Sequence, residues 1–479
     1  MNMHYSLPLS GGSSSGLKPL EVYSPYSREL IGTVDRSAAE QVESALIVAH
    51  SLFRDKPGWL SLEQRVDILA TTAQLMEGRF EELATGAAAE GGKPLIDSRV
   101  EVARAIEGVK LCIETIRSEV GRVVPMADSA SDQRRVAFTQ KEPIGVVVAV
   151  SAFNHPLNLI VHQVATGIAA GCPTLVKPAG ATPLSCHRFV SILHEAGLPS
   201  PWCQMLVPET HELTTALVTD PRVGFFSFIG SGRVGWMLRS KLAAGARCAL
   251  EHGGAAPLIV DESASLEKLV PAILKGGYYH AGQVCVSVQR VIAHRSLVDE
   301  LTERLAAGVA ALNVGDPLLD TTEVGPLITQ QEVTRVAEWL SEAGQLGGRI
   351  VVGGQALGNG CVQPALILEP PVEAKVTHAE LFGPAVCLYG YEDLSAAIAQ
   401  ANSLPFAFQA SVFSQDIDRA QHIAHLLDAS AVMINDHTAF RQDAMPFAGL
   451  RESGLGVGGI PYTIEDMQID KMTVIKTPR

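Results

Sequence analysis

Two short Val-rich runs, at 145–150 and 173–176, bracket a helical-period segment at 157–170. A parallel strand is buried on both faces and needs a crossover of a dozen or more residues to reach its neighbour. The stretch supplies both, so it predicts a strand–helix–strand unit and an α/β fold. Further strands are expected at 205–207, 224–229, 248–250 and 258–260, with helices at 185–195, 211–218 and 233–242, which together read as a doubly wound sheet. After Ser263 a second alternation begins, with helices at 266–280, 298–312, 330–342, 394–402 and 417–427 and strands at 289–293 and 349–352. It predicts a second α/β domain.

Ahead of these units, apolar residues recur at helical spacing from about Ala38 to Val120, as in Val42, Ala45, Leu46 and Ala49. Residues 121–142, rich in Ser, Asp, Arg and Gln around alternating Val and Phe, read as an exposed hairpin suited to be a contact arm. The segment 463–476 reads as a strand-forming tail that rejoins it. The Gly and Ser cluster within 1–16 predicts a mobile tail. The expected architecture is α/β, with two doubly wound parallel-sheet domains and a small β oligomerisation arm. Its expected parts are a dinucleotide-binding domain from 1–120 and 142–250, a catalytic domain at 251–462, and an arm from 121–141 and 463–479.

Composition narrows the function. A formal net charge of -14 argues against nucleic acid or an anionic membrane as partner, because phosphate binding needs clustered positive charge. The longest apolar stretches, 144–153 and 157–172, are interrupted by Asn154, His155, His162 and Gln163 and fall short of a bilayer span. Eight irregularly spaced cysteines without a CxxC pair suggest neither a disulfide framework nor a metal site. Reduced thiols, with no export signal recognised, fit a cytoplasmic protein acting on a small molecule.

The most informative segment is Ala281-Gly282-Gln283-Val284-Cys285-Val286-Ser287, a cysteine among small residues after a long helical pattern. A lone cysteine in apolar surroundings is usually structural, and the other seven fit that reading. Upstream, Leu250-Glu251-His252-Gly253-Gly254 sets a carboxylate at a strand end beside glycines that leave room for water, a setting for a general base or simply for an exposed loop Glu. Phe153-Asn154-His155-Pro156 ends a strand with an amide able to donate to an oxyanion, although Asn before a turn is commonplace.

The order and spacing of these segments resemble the aldehyde dehydrogenase superfamily along nearly the whole chain. Pro143-Ile144-Gly145-Val146-Val147 leading to Phe153-Asn154-His155-Pro156-Leu157 is similar to the family's asparagine segment, and 171–179 with Lys177 to its cofactor-lysine segment. Phe228-Ile229-Gly230-Ser231-Gly232 is similar to its pyrophosphate loop, Glu380-Leu381-Phe382-Gly383-Pro384 to its nicotinamide-side motif, and 446–454 to its C-terminal motif. The resemblance implies Cys285 as nucleophile, Glu251 as the base that activates the hydrolytic water, and the Asn154 amide with the Cys285 backbone N–H as oxyanion donors. It implies NAD or NADP as cofactor: Lys177 on the adenosine ribose, Gly230 and Ser231 opening a helix at the pyrophosphate, Glu380 on the nicotinamide ribose and Phe382 supporting the ring. For Gly230-Ser231 an ordinary turn and N-cap is the alternative. Three positions after Lys177, where strict NAD users of the family commonly carry a Glu, stands Gly180, so the electrostatic bar to a 2′-phosphate is missing. The presence of Glu251 favours a free acid over transfer to coenzyme A.

The family's substrate channel corresponds here to Asn158 and His162, Val284 and Val286, and His437, Phe440 and Arg441, with Arg104 on the helical run 101–109 as a further candidate. That polar mouth suits a small aldehyde bearing a hydroxyl, carboxylate or phosphate-like group, as in the lactaldehyde and phosphonoacetaldehyde branch, while Val284 weakens the phosphorylated version. Alternatively Arg104 and Arg441 pair with Glu101, Glu107 and Asp443. The arm resembles the family's subunit contacts and implies a homodimer or homotetramer. Competing readings are a catalytically silent binding or structural relative, a coenzyme A-acylating enzyme, and a cysteine hydrolase using His252 or His280, which would leave the cofactor motifs unexplained.

Overall fold

The computed structural model describes residues 3–10, 16–126 and 134–476. Two sheets organise it. The first has six strands in the order Gly454–Leu455, Arg247–Glu251, Val223–Ile229, Val146–Val150, Thr174–Lys177, Cys203–Met205, parallel except at the first pair. Strand order reverses beside Val146–Val150, the switch point of a doubly wound sheet, where ligands bind beyond the carboxyl ends. That central strand is apolar throughout because both faces are covered. Val147 and Ala149 enter a core with the helices Leu62–Gly78 and Leu95–Ser118, while Val146, Val148 and Val150 enter one with Ala39–Arg54.

The second sheet has seven strands in the order Arg349–Val352, Ala365–Leu368, Ala385–Tyr391, Val288–His294, Ala256–Val260, Gln409–Phe413, Ala431–Ile434, parallel except at the first pair. It has its own core, to which Leu269, Ile273, Leu301 and Leu305 of the helices Leu266–Tyr278 and Val298–Ala311 contribute. The chain returns to the first body near its end: Gly454–Leu455 pairs with that sheet, and Ile460 and Ile464 of the helix Ile460–Asp466 join its core.

A third sheet forms the arm. Gln468–Lys476 runs antiparallel to Arg135–Pro143 over nine paired positions, and Val123–Val124 flanks the latter. The tail thus rejoins the hairpin, but it starts with a helix, since 460–466 is helical and the strand begins only at Gln468. Residues 127–133 of that expected hairpin lie outside the described residues.

The N-terminus corrects one expectation. Met3–Tyr5 is not a loose tail but a strand parallel to Leu30–Val34, which Leu20–Tyr23 flanks on its other side; Leu7 beyond it is buried. A three-residue edge strand is too short to show a period. The Gly/Ser cluster at 11–15 lies outside the described residues. The helix expected over 266–280 also stops early, at Tyr278, because the backbone turns left-handed at His280 and Ala281. Among the described residues, no helix is long and apolar enough to cross a membrane.

Candidate active site

The first sheet ends in Asn154, four residues past Val150, and in Glu251, the last residue of its strand. The second body presents the turn that carries Cys285, whose thiol feels the Glu251 carboxyl. Three successive left-handed residues shape that turn: His280 (φ 48°), Ala281 (φ 54°) and Gly282 (φ 69°). At Gly282 a Cβ would stand 2.1 Å from the Gly383 carbonyl oxygen, so only glycine fits. Gln283 then pins the turn, donating to the His280 and Pro326 carbonyls and accepting from the Ile328 N–H at 3.0 Å. The Asn154 side-chain amide donates to the Gln283 carbonyl at 2.9 Å, which holds it beside the nucleophile segment.

All eight cysteines are free thiols; six are buried, and only Cys285 and Cys248 are partly exposed. Cys285 sits among Val284, Val286, Phe408 and Phe447 and opens on a small cavity that Gly254 and Phe406 also line. Burial pushes its thiol up to about 12, the Glu251 and Glu380 carboxyls push the same way, and Arg441 pulls against them. Burial likewise raises Glu251 to about 7, with Arg441 again opposing. Gly458 makes room for that carboxyl, since a Cβ there would lie 2.1 Å from Glu251 Oε1. Burial raises Glu380 to about 7 against the Gly254 N–H, which donates to its Oε1 at 3.1 Å. Gly253 must lack a side chain for Glu380 to lie there, because its Cβ would meet Oε1 at 1.7 Å.

Along the groove at the switch point, Lys177 closes its strand with an ammonium that burial pulls down from its ordinary value. Gly180 is exposed, and a side chain there would meet nothing within 4 Å. The Gly230 N–H donates to the Glu251 carbonyl at 3.0 Å. Ser231 is the N-cap of the helix Gly232–Arg239, and its hydroxyl takes no capping bond; the Val234 and Gly235 N–H groups donate to its carbonyl, which leaves the Gly232 and Arg233 amides for another acceptor. His252 donates from Nδ1 to the Gly230 carbonyl at 2.9 Å and packs against Phe228 and Trp236. Phe382, left-handed at φ 49°, meets Phe153 edge to face at 5.9 Å. Nothing in the sequence singled out Phe153 or Gly458.

At the expected substrate mouth, the structure brings Arg104, Asn158 and His162 together on one residue, Asp443. Asn158 and His162 lie on a helical segment whose middle turn, Val161–Ala165, is a π turn, a feature frequent at functional sites. Burial works to raise Asp443, and the His162 and Arg104 donors outweigh it, holding the carboxylate well below its usual range. Burial pulls His162 down against the opposing pull of Asp443. Arg441 is not in this group: its guanidinium lies 3.7 Å from the Phe447 ring centroid, and its buried Nη1 has no partner. Burial lowers it to about 10, so it stays charged at neutral pH. His437 packs instead on Gly276, and Phe440 is exposed.

The other acids weighed for the arginines are committed elsewhere. Glu107 pairs with Lys110, and Glu101 forms a fully buried ion pair with Lys93. Glu101 Oε1 also accepts from the Leu157 and Asn158 N–H groups at 2.9 and 3.0 Å, which caps the helix just after Asn154. Behind the turn, His155 Nε2 meets the Tyr279 hydroxyl at 3.1 Å, and neither ring nitrogen of His280 has a partner. Burial drives His280 well below its ordinary range, leaving a neutral ring packed under the turn.

A family described as "Aldehyde dehydrogenase family" matches residues 12–473. The chain is 33% identical over 472 residues to the 3-sulfolactaldehyde dehydrogenase of Priestia aryabhattai, covering 98% of each chain. Among solved structures, aldehyde dehydrogenase 21 from Physcomitrella patens, in complex with the reaction product succinate, superposes with a TM-score of 0.95 at 32% identity over 99% of both chains. A glyceraldehyde-3-phosphate dehydrogenase from Methanocaldococcus jannaschii complexed with NADP gives 0.90 at 32% identity, covering 96% of this chain and 99% of that one.

Proposed function

The chain belongs to the aldehyde dehydrogenase family and is an oxidoreductase acting on an aldehyde group, and from that premise we propose that it oxidises a small polar aldehyde to the free carboxylic acid through a thioester on Cys285. The observation that supports this reading is that the Cys285 thiol feels a Glu251 carboxyl which burial raises to about 7, while the Asn154 amide bonds to the Gln283 carbonyl two residues before the nucleophile.

Cys285 loses its thiol proton to solvent, the thiolate sulfur adds to the aldehyde carbon, and the oxyanion that forms is met by the Asn154 amide and the Cys285 N–H. NAD or NADP, when bound, would supply the hydride acceptor that oxidation to the thioester requires and a positive charge that favours the thiolate form of Cys285. Glu251, half ionised near neutrality, takes a proton from water, whose oxygen then displaces the sulfur and releases acid and thiol.

The residues present fit such a cofactor. The Ser231 helix has open amides for the pyrophosphate, Glu380 keeps acceptor capacity for a ribose, and Lys177 stands at the groove. The open space at Gly180 accommodates NADP as well as NAD. The relatives named for sulfolactaldehyde and succinate support a polar substrate, and Arg441 is a charged side chain here with a donor to spare. We assign cofactor binding to the first body, catalysis to the second, and subunit contact in a homodimer or homotetramer to the arm, whose exposed Val123, Met472 and Val474 suit burial against another copy.

The test is a panel of apolar, hydroxylated, carboxylated and phosphorylated aldehydes with both cofactors, followed as nicotinamide reduction. Turnover of short polar members, lost in Cys285→Ala, is expected. Full turnover by Cys285→Ala refutes the mechanism, and preference for long apolar aldehydes refutes the substrate class.

A further inference from the structure

Three of the side chains that a polar substrate would first meet are already held by a fourth. Asp443 Oδ1 accepts from Arg104 Nη2 at 2.7 Å, from His162 Nε2 at 2.7 Å and from Asn158 Nδ2 at 3.3 Å, while Oδ2 accepts from Arg104 Nε at 3.1 Å. Asp443 is 8% exposed. Its donors come from the helix Leu95–Ser118 and the segment after Asn154, whereas Asp443 belongs to the loop that follows the second sheet. Arg104 therefore makes a two-toothed bond to an internal carboxylate, the geometry that a guanidinium otherwise offers to a ligand anion.

Charge counting gives the consequence. Arg104 and Asp443 cancel, and Arg441, which feels the Glu251 and Asp443 carboxyls, keeps a buried and unpartnered Nη1 near Cys285. A ligand with one negative charge can meet Arg441 without disturbing the cluster. A ligand with two charges must either face the buried Asp443 carboxylate or displace it from Arg104, losing both of its charge-assisted bonds. Both options penalise the dianion, and repulsion of this kind is how a site rejects a near relative of its substrate.

We propose that Asp443 is a specificity-determining residue, an internal anion that occupies Arg104 and restricts the mouth to aldehydes carrying a single negative charge or a hydroxyl, against dianionic phosphorylated ones. The inference rests on the aldehyde-oxidising function proposed above and narrows its substrate class.

Two measurements test it. In the wild-type enzyme at pH 8, where a phosphate ester is a dianion, kcat/KM for a monoanionic aldehyde such as succinate semialdehyde should exceed that for glyceraldehyde 3-phosphate by about tenfold or more, a difference of about 1.4 kcal/mol. The reverse ranking overturns the proposal. Asp443→Asn keeps the shape and removes the charge, and it should lower KM for glyceraldehyde 3-phosphate about tenfold while lactaldehyde changes less than about threefold. A purely structural role would instead depress all three substrates together, which also overturns it. Failure of the wild type to oxidise any aldehyde would strike the underlying function and is distinguishable from an unaltered selectivity in the variant.

Discussion

The carboxyl of Glu251 offers the sharpest test of the chemistry, because its burial makes a quantitative demand on pH. A free glutamate near 4.5 is fully ionised across the neutral range, and a base of that kind would give a hydrolysis rate independent of pH from 6 to 8. Held at about 7 by burial, Glu251 is ionised in roughly one molecule of eleven at pH 6 and ten of eleven at pH 8. The base acts when deprotonated, so hydrolysis of the thioester should rise about tenfold over that interval, with its midpoint near 7. Rapid mixing with a saturating aldehyde separates the steps: a burst of reduced cofactor reports formation of the thioester, and the steady rate reports hydrolysis wherever hydrolysis is limiting. At pH 6 the burst should stand out over a slow steady phase. Glu380 also titrates at about 7, so the assignment needs Glu251→Gln, in which the burst remains, the midpoint near 7 leaves the hydrolytic phase, and the steady rate falls by about 10²–10⁴. Arg441 lowers Glu251, and Arg441→Met should therefore move the midpoint upward. A flat hydrolytic phase in the wild type, or an undiminished steady rate in Glu251→Gln, would refute the role given to this carboxyl.

Two further outcomes follow from neighbouring residues. Gly180→Glu places a carboxylate in open space at the position read as facing the 2′ group, and KM for NADP should rise about tenfold or more while KM for NAD stays within about threefold; steady-state kinetics with both cofactors decide this. Glu101→Gln leaves Lys93 buried without its counter-charge and weakens the cap on Leu157 and Asn158, so calorimetry should show a loss of about 3–5 kcal/mol, and an unchanged melting transition would contradict the buried-pair assignment.

Much of this was legible in the sequence, and the reasons are uneven. The first sheet was readable because its strands are bounded by turn residues and separated by amphipathic helices; even so, one strand expected at 205–207 lies at Cys203–Met205. In the second body, Ala365–Leu368, Ala385–Tyr391, Gln409–Phe413 and Ala431–Ile434 went unread, because short runs of mostly buried residues carry no period to tell strand from helix. Cys285, Glu251 and Asn154 were nominated by the order of their motifs, and no local pattern around any one of them would have sufficed. For the arginines the sequence offered Asp443 among several acids as a partner, but not which arginine would take it. Asp443 lies two residues from Arg441 in sequence but binds Arg104, 339 positions away, and only the folded chain decides between those partners. Gly458 was equally silent, since its role is to leave empty the volume that a carboxyl 207 positions earlier occupies.

The left-handed turn ahead of Cys285 carries an implication for evolvability. His280 and Ala281 hold a backbone conformation that costs an L-residue about 1–2 kcal/mol, and the unpartnered His280 ring adds a desolvated imidazole to that burden. Glycine at either position would be the simple route to a more stable protein, and it would also release the conformational freedom that the bulkier residues remove. A search for thermal robustness alone would therefore tend to soften the ground under the nucleophile, so selection for stability and selection for turnover pull this short segment in opposite directions.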